Sequence, residues 1–178
     1  TGGRPWVPEI SGAELSITSD EAFHLEALPA KVVVVGGGFI ACEFAGIFNG
    51  LGSTVTQVYR GEQILRGFDH DVRETLAVEM QQKGIDIRLN INVTELIRQP
   101  DGQILAKLDD GTEMLADCVM FATGRVPNVR GLGLQDAGVH VLPGGMIPVD
   151  DYSRTNLPHV FAVGDVTNRV NLTPVALM

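Results

Sequence analysis

A glycine-rich turn is the first feature of this sequence with recognisable chemistry. Gly36, Gly38 and Ala41 form the spacing GxGxxA directly after a run of valines. Glycine at the first position permits a tight turn, and glycine at the second lets the backbone approach a pyrophosphate. Alanine at the third lets a helix pack closely on a strand. The pattern predicts a dinucleotide phosphate site, provided that a strand precedes it and a helix follows.

The neighbouring residues predict that strand and that helix. Lys31 to Val35 is a β-branched run, typical of a strand that is covered on both faces. Apolar residues from Phe39 to Leu51 recur every three or four positions, which indicates a helix that ends at Gly52. Free N–H groups at the start of such a helix attract negative charge.

The choice of coenzyme is decided after the second predicted strand, Ser53 to Tyr59. An NAD site presents Asp or Glu there to bond the ribose hydroxyls, but the stretch 57–60 at the end of this strand reads QVYR, without a carboxylate. Arg60 and Arg66 lie in the following loop, and guanidinium groups bind phosphate through paired, charge-assisted hydrogen bonds. The alternative is two solvated arginines without function. We expect the pair to bind the 2′-phosphate of NADPH and to disfavour NADH.

One carboxylate lies close to this expected anion site. Glu43 is the only charged residue between Phe39 and Leu51, and we place it in the first turn of the helix. It would there complement the positive end of the helix. Because a carboxylate also repels a pyrophosphate, we expect Glu43 to pair with a cation from outside this sequence.

The remaining pattern predicts an α/β fold: a Rossmann-like parallel sheet with helices and an antiparallel meander, of the FAD/NAD(P)-binding domain type. Two strand–helix units in series imply parallel strands. The further predicted elements are a helix over 69–83, strands over 85–91 and 118–122, and a meander over 93–99, 104–109 and 112–115. From residue 126 we expect loops, until a short strand from Val160 to Val163.

Composition and charge exclude several classes of function. The net charge of −9 argues against nucleic acid as a partner, because phosphate backbones are bound by clustered Lys and Arg. No apolar run is long enough to cross a bilayer, so we expect no membrane association. Cys42 and Cys118 are too far apart for a CxxC motif, and we expect two buried thiols, no disulfide and no metal site.

Five segments together resemble the glutathione reductase family, class I of the pyridine nucleotide-disulfide oxidoreductases. The matching segments are 36–49, Arg60 with 65–69, 122–127, 162–165 and 172–176. The resemblance implies NADPH contacts by Gly36, Gly37, Gly38, Phe39, Ile40, Glu43, Arg60, Arg66 and Gly124, and FAD contacts by Asp165 and Thr173. It also implies a central NADPH-binding domain at 29–125, with 1–28 a connecting segment and 126–178 a return segment of the FAD domain.

Individual roles follow from the same resemblance. Glu43 would pair with a lysine beside the flavin, which agrees with the cation expected above. Asp165 would contact the FAD ribityl chain, although on its residue type alone it could equally cap a strand end. Thr173 would contact the flavin edge, and Gly124 would line the NADPH path. The family usually has Tyr at the position of Phe39, a ring that covers the flavin, so we expect normal gating with modestly altered NADPH binding.

The resemblance implies a reaction in which NADPH reduces FAD, then a cysteine pair, then a disulfide, most closely glutathione disulfide. This sequence lacks three motifs of the family: the first FAD fingerprint, the redox-active CxxxxC pair and the His-Glu acid/base pair. We therefore expect it to hold no catalytic residue and to be inactive alone, as part of a longer protein. Alternatives are a trypanothione or other thiol-disulfide reductase, a dihydrolipoamide dehydrogenase-like enzyme, or a non-catalytic NADPH-binding module. The parent is expected to be a cytoplasmic homodimer.

Overall fold

A computed structural model describes residues 1–177, and the chain divides into two compact units. The large unit is Trp6–Gly124, and the small unit combines Thr1–Pro5 with the chain from Arg125 onward. The strands are β1 (Gly3–Pro5), β2 (Lys31–Val35), β3 (Thr54–Tyr59), β4 (Asp86–Leu89), β5 (Val93–Arg98), β6 (Ile104–Leu108), β7 (Glu113–Ala116), β8 (Cys118–Phe121) and β9 (Arg125–Pro127). The helices are α1 (Ser19–Ala22), α2 (Phe39–Leu51), α3 (His70–Gln82) and α4 (Thr173–Ala176), with 3-10 turns at Ala13–Leu15 and Gly164–Thr167.

The large unit is built around a parallel sheet with the strand order β4-β3-β2-β8. The valines of the central strand β2 point alternately into two hydrophobic cores, one on each face of the sheet. Val32 and Val34 of β2 pack with residues of α2 and α3, whereas Val33 and Val35 pack with the meander β5-β6-β7. Both faces of β2 are therefore covered, as the unbroken apolar run predicted.

The helix α2 begins and ends where the sequence predicted. Five residues of its inner face are buried, among them Ala41, Phe44 and Phe48. Gly52 follows the last turn with φ of 108° and donates its N–H to the Asn49 carbonyl. Glycine adopts this left-handed conformation without the clash that a Cβ atom causes, so it ends the helix.

The helix α3 begins one residue after Asp69 and ends one residue before Lys83, close to the prediction. Asp69 is its N-cap, and Oδ1 of this residue accepts hydrogen bonds from the N–H groups of Asp71 (3.0 Å) and Val72 (3.4 Å). The meander is also confirmed, with β5-β6-β7 antiparallel throughout.

The large unit begins earlier than residue 29. Residues 6–28 pack with it, since the Ile17 N–H donates to the Val119 carbonyl and the Ile17 carbonyl accepts from Phe121 (both 2.9 Å). Most of the segment that we expected to connect two domains is therefore part of the large unit. Whether residues 1–28 and 126–178 belong to a flavin domain stays a prediction, and Met178 lies outside the described residues.

The small unit consists mainly of loops around the β1-β9 pair and a core of Val139, Ile147, Ala162 and Val166. The prediction of a strand over Val160 to Val163 is wrong. Only Phe161 forms a bridge, to Arg154, while the Val160 N–H turns back to Leu157. The backbone bonds of this segment are thus satisfied by a local loop, and Phe161 is 59% exposed.

The two cysteines are free and buried, as predicted. Burial raises the pKa of Cys118 to about 11, and the neighbouring Asp117 carboxylate adds to the shift. Burial also raises the pKa of Cys42. Within residues 1–177, no group of His, Cys, Asp and Glu side chains could hold a metal ion. The helices in this part of the chain are too short or too polar to cross a bilayer.

Candidate functional site

The glycine turn connects β2 to α2 at the carboxyl edge of the parallel sheet. Gly36 has φ of 147°, and a Cβ atom on it would lie 2.3 Å from the Ala122 carbonyl oxygen. Its N–H donates to the Val58 carbonyl of β3 at 2.9 Å. The chain can therefore turn here only with glycine, which is the role that the spacing predicted for this position.

The amino end of α2 is open where a ligand would approach. Gly38 is its N-cap and offers no side chain, so no side-chain hydrogen bond caps the helix, in contrast to α3 with Asp69. A Cβ atom on Gly38 would meet no other described atom within 4 Å. Uncapped N–H groups and open space are what an anionic pyrophosphate requires, so this end of the helix fits one.

The Tyr59 ring packs against two glycines at the end of β3. A Cβ atom on Gly37 would lie 2.5 Å from Cγ and Cδ1 of Tyr59, and a Cβ atom on Gly61 would lie 2.5 Å from its Cε1. The Leu65 N–H also donates to the Gly37 carbonyl at 2.6 Å. These contacts fix the glycine turn relative to the loop that follows β3.

That loop, residues 60–69, carries the two arginines singled out from the sequence. Arg60 and Arg66 are both exposed, and neither forms an ion pair or a hydrogen bond with a residue in the described part of the chain. Leu65, between them, has φ of 53°, a left-handed conformation that costs a leucine about 1–2 kcal/mol. Its side chain is nevertheless 5% exposed, so burial holds the loop in this shape.

The remaining predicted NADPH residues lie around the same edge of the sheet. Phe39 is the first residue of α2 and its side chain is 40% exposed, while Ile40 is half-buried. Gly124 follows β8, the strand beside β2, and its carbonyl accepts the Trp6 N–H at 2.9 Å. Ligands of open α/β sheets bind outside the carboxyl ends of the strands, and these residues share that position.

The position predicted for Glu43 needs a correction. Because α2 begins at Phe39, Glu43 is in the second turn, and the first turn of this helix contains no acidic residue. The N–H groups that would face a pyrophosphate therefore have no carboxylate among them. Glu43 is exposed and forms no ion pair with any residue from 1 to 177, so its expected partner outside this sequence stays a prediction.

Gln57 is a polar residue of this site that the sequence reading missed. It is fully buried in β3, its Nε2 donates to the Gly36 carbonyl at 2.9 Å, and it lies 3.6 Å from Cys42 Sγ. Its Oε1 is buried without a partner among the described residues. A glutamine within a strand of β-branched and aromatic residues was the signal that could have revealed it.

Asp165 and Thr173, the expected FAD residues, both lie in the small unit. Asp165 is half-buried in the 3-10 turn Gly164–Thr167, close to the backbone of β1: a Cβ atom on Gly3 would lie 2.8 Å from its Oδ2. Thr173 is exposed at the first position of α4. Gly164 approaches this helix, since a Cβ atom on it would lie 2.9 Å from that of Ala176.

A parallel sheet with a tight glycine turn, an open helix end and an adjoining loop with two exposed arginines defines a dinucleotide-binding protein of the Rossmann type. The chain belongs to the pyridine nucleotide-disulphide oxidoreductase family, whose model matches residues 1–178.

Similar curated proteins are glutathione reductases and trypanothione reductases. The chain is 53% identical to glutathione reductase of Burkholderia cepacia over 99% of its own length and 39% of the relative. It is 49% identical to the chloroplastic/mitochondrial glutathione reductase of Pisum sativum (99% and 32%) and 46% identical to trypanothione reductase of Trypanosoma congolense (99% and 37%). The chain thus spans about two fifths or less of the length of these relatives.

A solved structure has the same fold. The HOCl-induced flavoprotein disulfide reductase RclA of Escherichia coli matches with a TM-score of 0.93 and 29% identity, over 99% of this chain and 41% of that one. The resemblance to glutathione reductases and the FAD/NAD(P)-binding fold, both predicted from the sequence, are confirmed.

Proposed function

We propose that the chain forms the NADPH-binding part of an FAD-containing disulfide reductase that acts on glutathione disulfide. The observation that carries this proposal is the pair Arg60 and Arg66, exposed and without a carboxylate partner in the described chain. Their loop is bonded to the glycine turn through Leu65 and Gly37. The loop of the two arginines and the open end of α2 are therefore neighbours.

The chemistry of the two subsites matches the two charged parts of NADPH. The pyrophosphate fits the amino end of α2, where Gly38 leaves space and the helix dipole favours an anion. The 2′-phosphate is a compact anion, which the planar guanidinium groups of Arg60 and Arg66 can bind by paired hydrogen bonds. NADH lacks this phosphate, so it would use only the first subsite.

The residues proposed to face the flavin have separate tasks. When bound, NADPH donates a hydride that FAD accepts and passes on as an electron pair to a disulfide. Phe39 would cover the flavin side of the nicotinamide path, Gly124 would leave room along that path, and Glu43 would pair with a lysine of the parent protein. Asp165 would accept hydrogen bonds from the ribityl chain, and Thr173 would contact the flavin edge.

Glutathione disulfide is proposed as the substrate because the glutathione reductases above are 49 to 53% identical to this chain. Trypanothione disulfide is the second candidate, supported by a trypanothione reductase at 46% identity. The absence of an acid at the end of β3 disfavours a dihydrolipoamide dehydrogenase-like enzyme. We further propose that the parent protein is a homodimer and that it is located in the cytoplasm. Its redox chemistry would need a cysteine pair in the part of the parent protein outside this chain.

Coenzyme titration tests the proposal directly. The intact protein is titrated calorimetrically with NADP⁺ and with NAD⁺, oxidised forms that bind without hydride transfer. We expect a clear preference for NADP⁺ that is lost in the Arg60→Leu/Arg66→Leu double variant, while NAD⁺ affinity changes little. Arg98→Leu is the matched control, since Arg98 lies in the meander and bonds the Gly102 carbonyl. Equal affinities of the wild-type protein for the two coenzymes would refute the NADPH assignment.

Two further observations separate the alternatives. The intact protein should be yellow with bound FAD, and a colourless protein that still binds NADP⁺ would instead be a binding module. Turnover of NADPH with glutathione disulfide and with trypanothione disulfide ranks the two substrates. The adjoining sequence must also contain a CxxxxC pair, and its absence would remove the disulfide reductase claim.

A further inference from the structure

The structure singles out a third arginine beside the two proposed phosphate ligands. Arg73 lies in the first half of α3 and its side chain is half-buried. Its Nε donates to the Ile64 carbonyl at 2.8 Å, and its Nη2 donates to the Gln63 carbonyl at 3.1 Å. One planar guanidinium group therefore holds two successive carbonyls of the loop that carries Arg60 and Arg66.

The loop needs such support because of its backbone. Leu65, next to these two carbonyls, adopts the left-handed conformation that is unfavourable for a residue with a branched side chain. A strained residue of this kind persists only where its surroundings fix it. Three contacts do so here: the buried Leu65 side chain, its N–H bond to Gly37, and the Arg73 fork on Gln63 and Ile64.

The same turn determines where Arg66 points, because Arg66 directly follows Leu65. A carbonyl pair that is held by a fork of donors has little freedom to rotate, and the Ile64 side chain is completely buried. An ordered loop loses less conformational entropy when a ligand binds than a mobile loop does. Arg73 can thus act on phosphate binding without touching the phosphate.

We propose that Arg73 is a positioning residue that determines coenzyme preference by fixing the loop of Arg60 and Arg66. The proposal rests on the 2′-phosphate site proposed above and extends it to a residue of α3. Its effect is specific: losing the Arg73 fork weakens binding of the coenzyme that has a 2′-phosphate, whereas binding at the glycine turn is retained. A role limited to stability would weaken both coenzymes alike.

The test compares Arg73→Met and Arg73→Lys with wild type in the intact protein, by calorimetric titration with NADP⁺ and NAD⁺. Methionine keeps much of the length of the arginine side chain but has no hydrogen-bond donor. Lysine keeps the positive charge but cannot place two hydrogen-bond donors in a fixed plane. We expect the NADP⁺ Kd to rise about three- to tenfold in both variants and the NAD⁺ Kd to change less than about twofold. Arg98→Met is the control, because it removes one charge and one bond to a carbonyl at a distant turn.

Two results would overturn the positioning role: an unchanged ratio of the two Kd values in Arg73→Met, or a wild-type ratio in Arg73→Lys, which would mean that charge alone matters. A second readout does not depend on the coenzyme. Amide hydrogen exchange at Leu65 and Phe68, whose N–H groups donate to Gly37 and Leu65, should be faster in Arg73→Met. If exchange at Leu65 and Phe68 is unchanged in Arg73→Met, the positioning role is refuted, whatever the coenzyme preference of wild type. If wild type shows no coenzyme preference, only the proposed function is refuted.

Discussion

The Tyr59 ring lies directly against the backbone of Gly37, so that a Cβ atom on Gly37 would come within 2.5 Å of Cγ and Cδ1 of the ring. This contact joins the end of β3 to the turn after β2. The ring cannot simply move aside, because Gly61 approaches its Cε1 as closely. The middle glycine of the motif is thus required by a neighbouring side chain, a cause separate from the turn at Gly36.

Gly37→Ala is expected to weaken binding of both coenzymes by about tenfold or more, since the overlap with Tyr59 must displace the turn that we propose binds the pyrophosphate. Calorimetric titration with NADP⁺ and NAD⁺ measures the effect. Gly46→Ala is the matched control, because Gly46 lies in α2 and its Cβ position has no described atom within 4 Å apart from its chain neighbours and the backbone of the helix itself. There the change should raise stability by about 0.5–1 kcal/mol and leave both Kd values unchanged. Wild-type affinity in Gly37→Ala would contradict the packing argument.

Gln57→Met is expected to weaken binding of both coenzymes by about two- to tenfold, with their ratio preserved. The variant retains the buried shape but removes the Nε2 donor from the Gly36 carbonyl, whose orientation sets the glycine turn. Titration with both coenzymes checks this, and the thermal midpoint reports stability. Ser53→Ala is the control: Ser53 is also buried and bonds a backbone carbonyl, that of Pro29 at 2.6 Å, but it precedes β3 at the opposite edge. Equal affinity losses in the two variants would mean that the effect is general destabilisation.

The sequence predicted those parts of the site that follow from local pattern. The apolar run of β2, the three- and four-residue spacing of α2 and the stop at Gly52 are properties of neighbouring residues, and the structure agrees with them. The placement of Glu43 was wrong although α2 begins at Phe39 as predicted: Glu43 is the fifth residue of the helix, and one turn holds only about 3.6 residues. An error of one turn there changes whether a carboxylate faces the ligand.

Other features depend on contacts between distant parts of the chain. Arg73 is one polar residue of an amphipathic helix, and only folding brings its guanidinium group to Gln63 and Ile64. The run from Val160 to Val163 has the apolar composition of a strand, yet Ala162 bonds Ser153 in a local loop. Residues 6–28 show little hydrophobic periodicity of their own. They are part of the large unit because, among other contacts, the backbone of Ile17 forms hydrogen bonds with β8.

Both thiols should resist alkylation in the folded protein at about pH 8, because burial keeps them protonated and shielded. A maleimide reagent and mass spectrometry measure this, with the protein in denaturant as the positive control. Labelling of Cys42 or Cys118 at the same rate in native and denatured protein would contradict their burial.

Stability should fall as the pH rises from the usual thiol pKa of 9.0 toward about 11, through Cys118. In this range the unfolded chain releases a proton that the folded chain retains, so the unfolded state binds fewer protons and unfolding is favoured. Denaturant unfolding of wild type and Cys118→Ala at about pH 8 and about pH 10.5 isolates this contribution. The free energy of unfolding should decrease less in the variant. Equal decreases would assign the pH dependence to other groups.

Phe39→Tyr is expected to change NADPH affinity by about two- to tenfold, the range of one net hydrogen bond gained or lost. The ring is 40% exposed at the first position of α2, so a hydroxyl on it is accessible to the coenzyme or the flavin without disturbing the core. Gating should persist because Phe and Tyr rings have the same shape. Rapid mixing of the intact protein, with its proposed FAD bound, with NADPH gives both the affinity and the rate of flavin reduction. If neither quantity differs from wild type, the missing hydroxyl has no role in coenzyme binding, and Phe39 contributes through its ring alone.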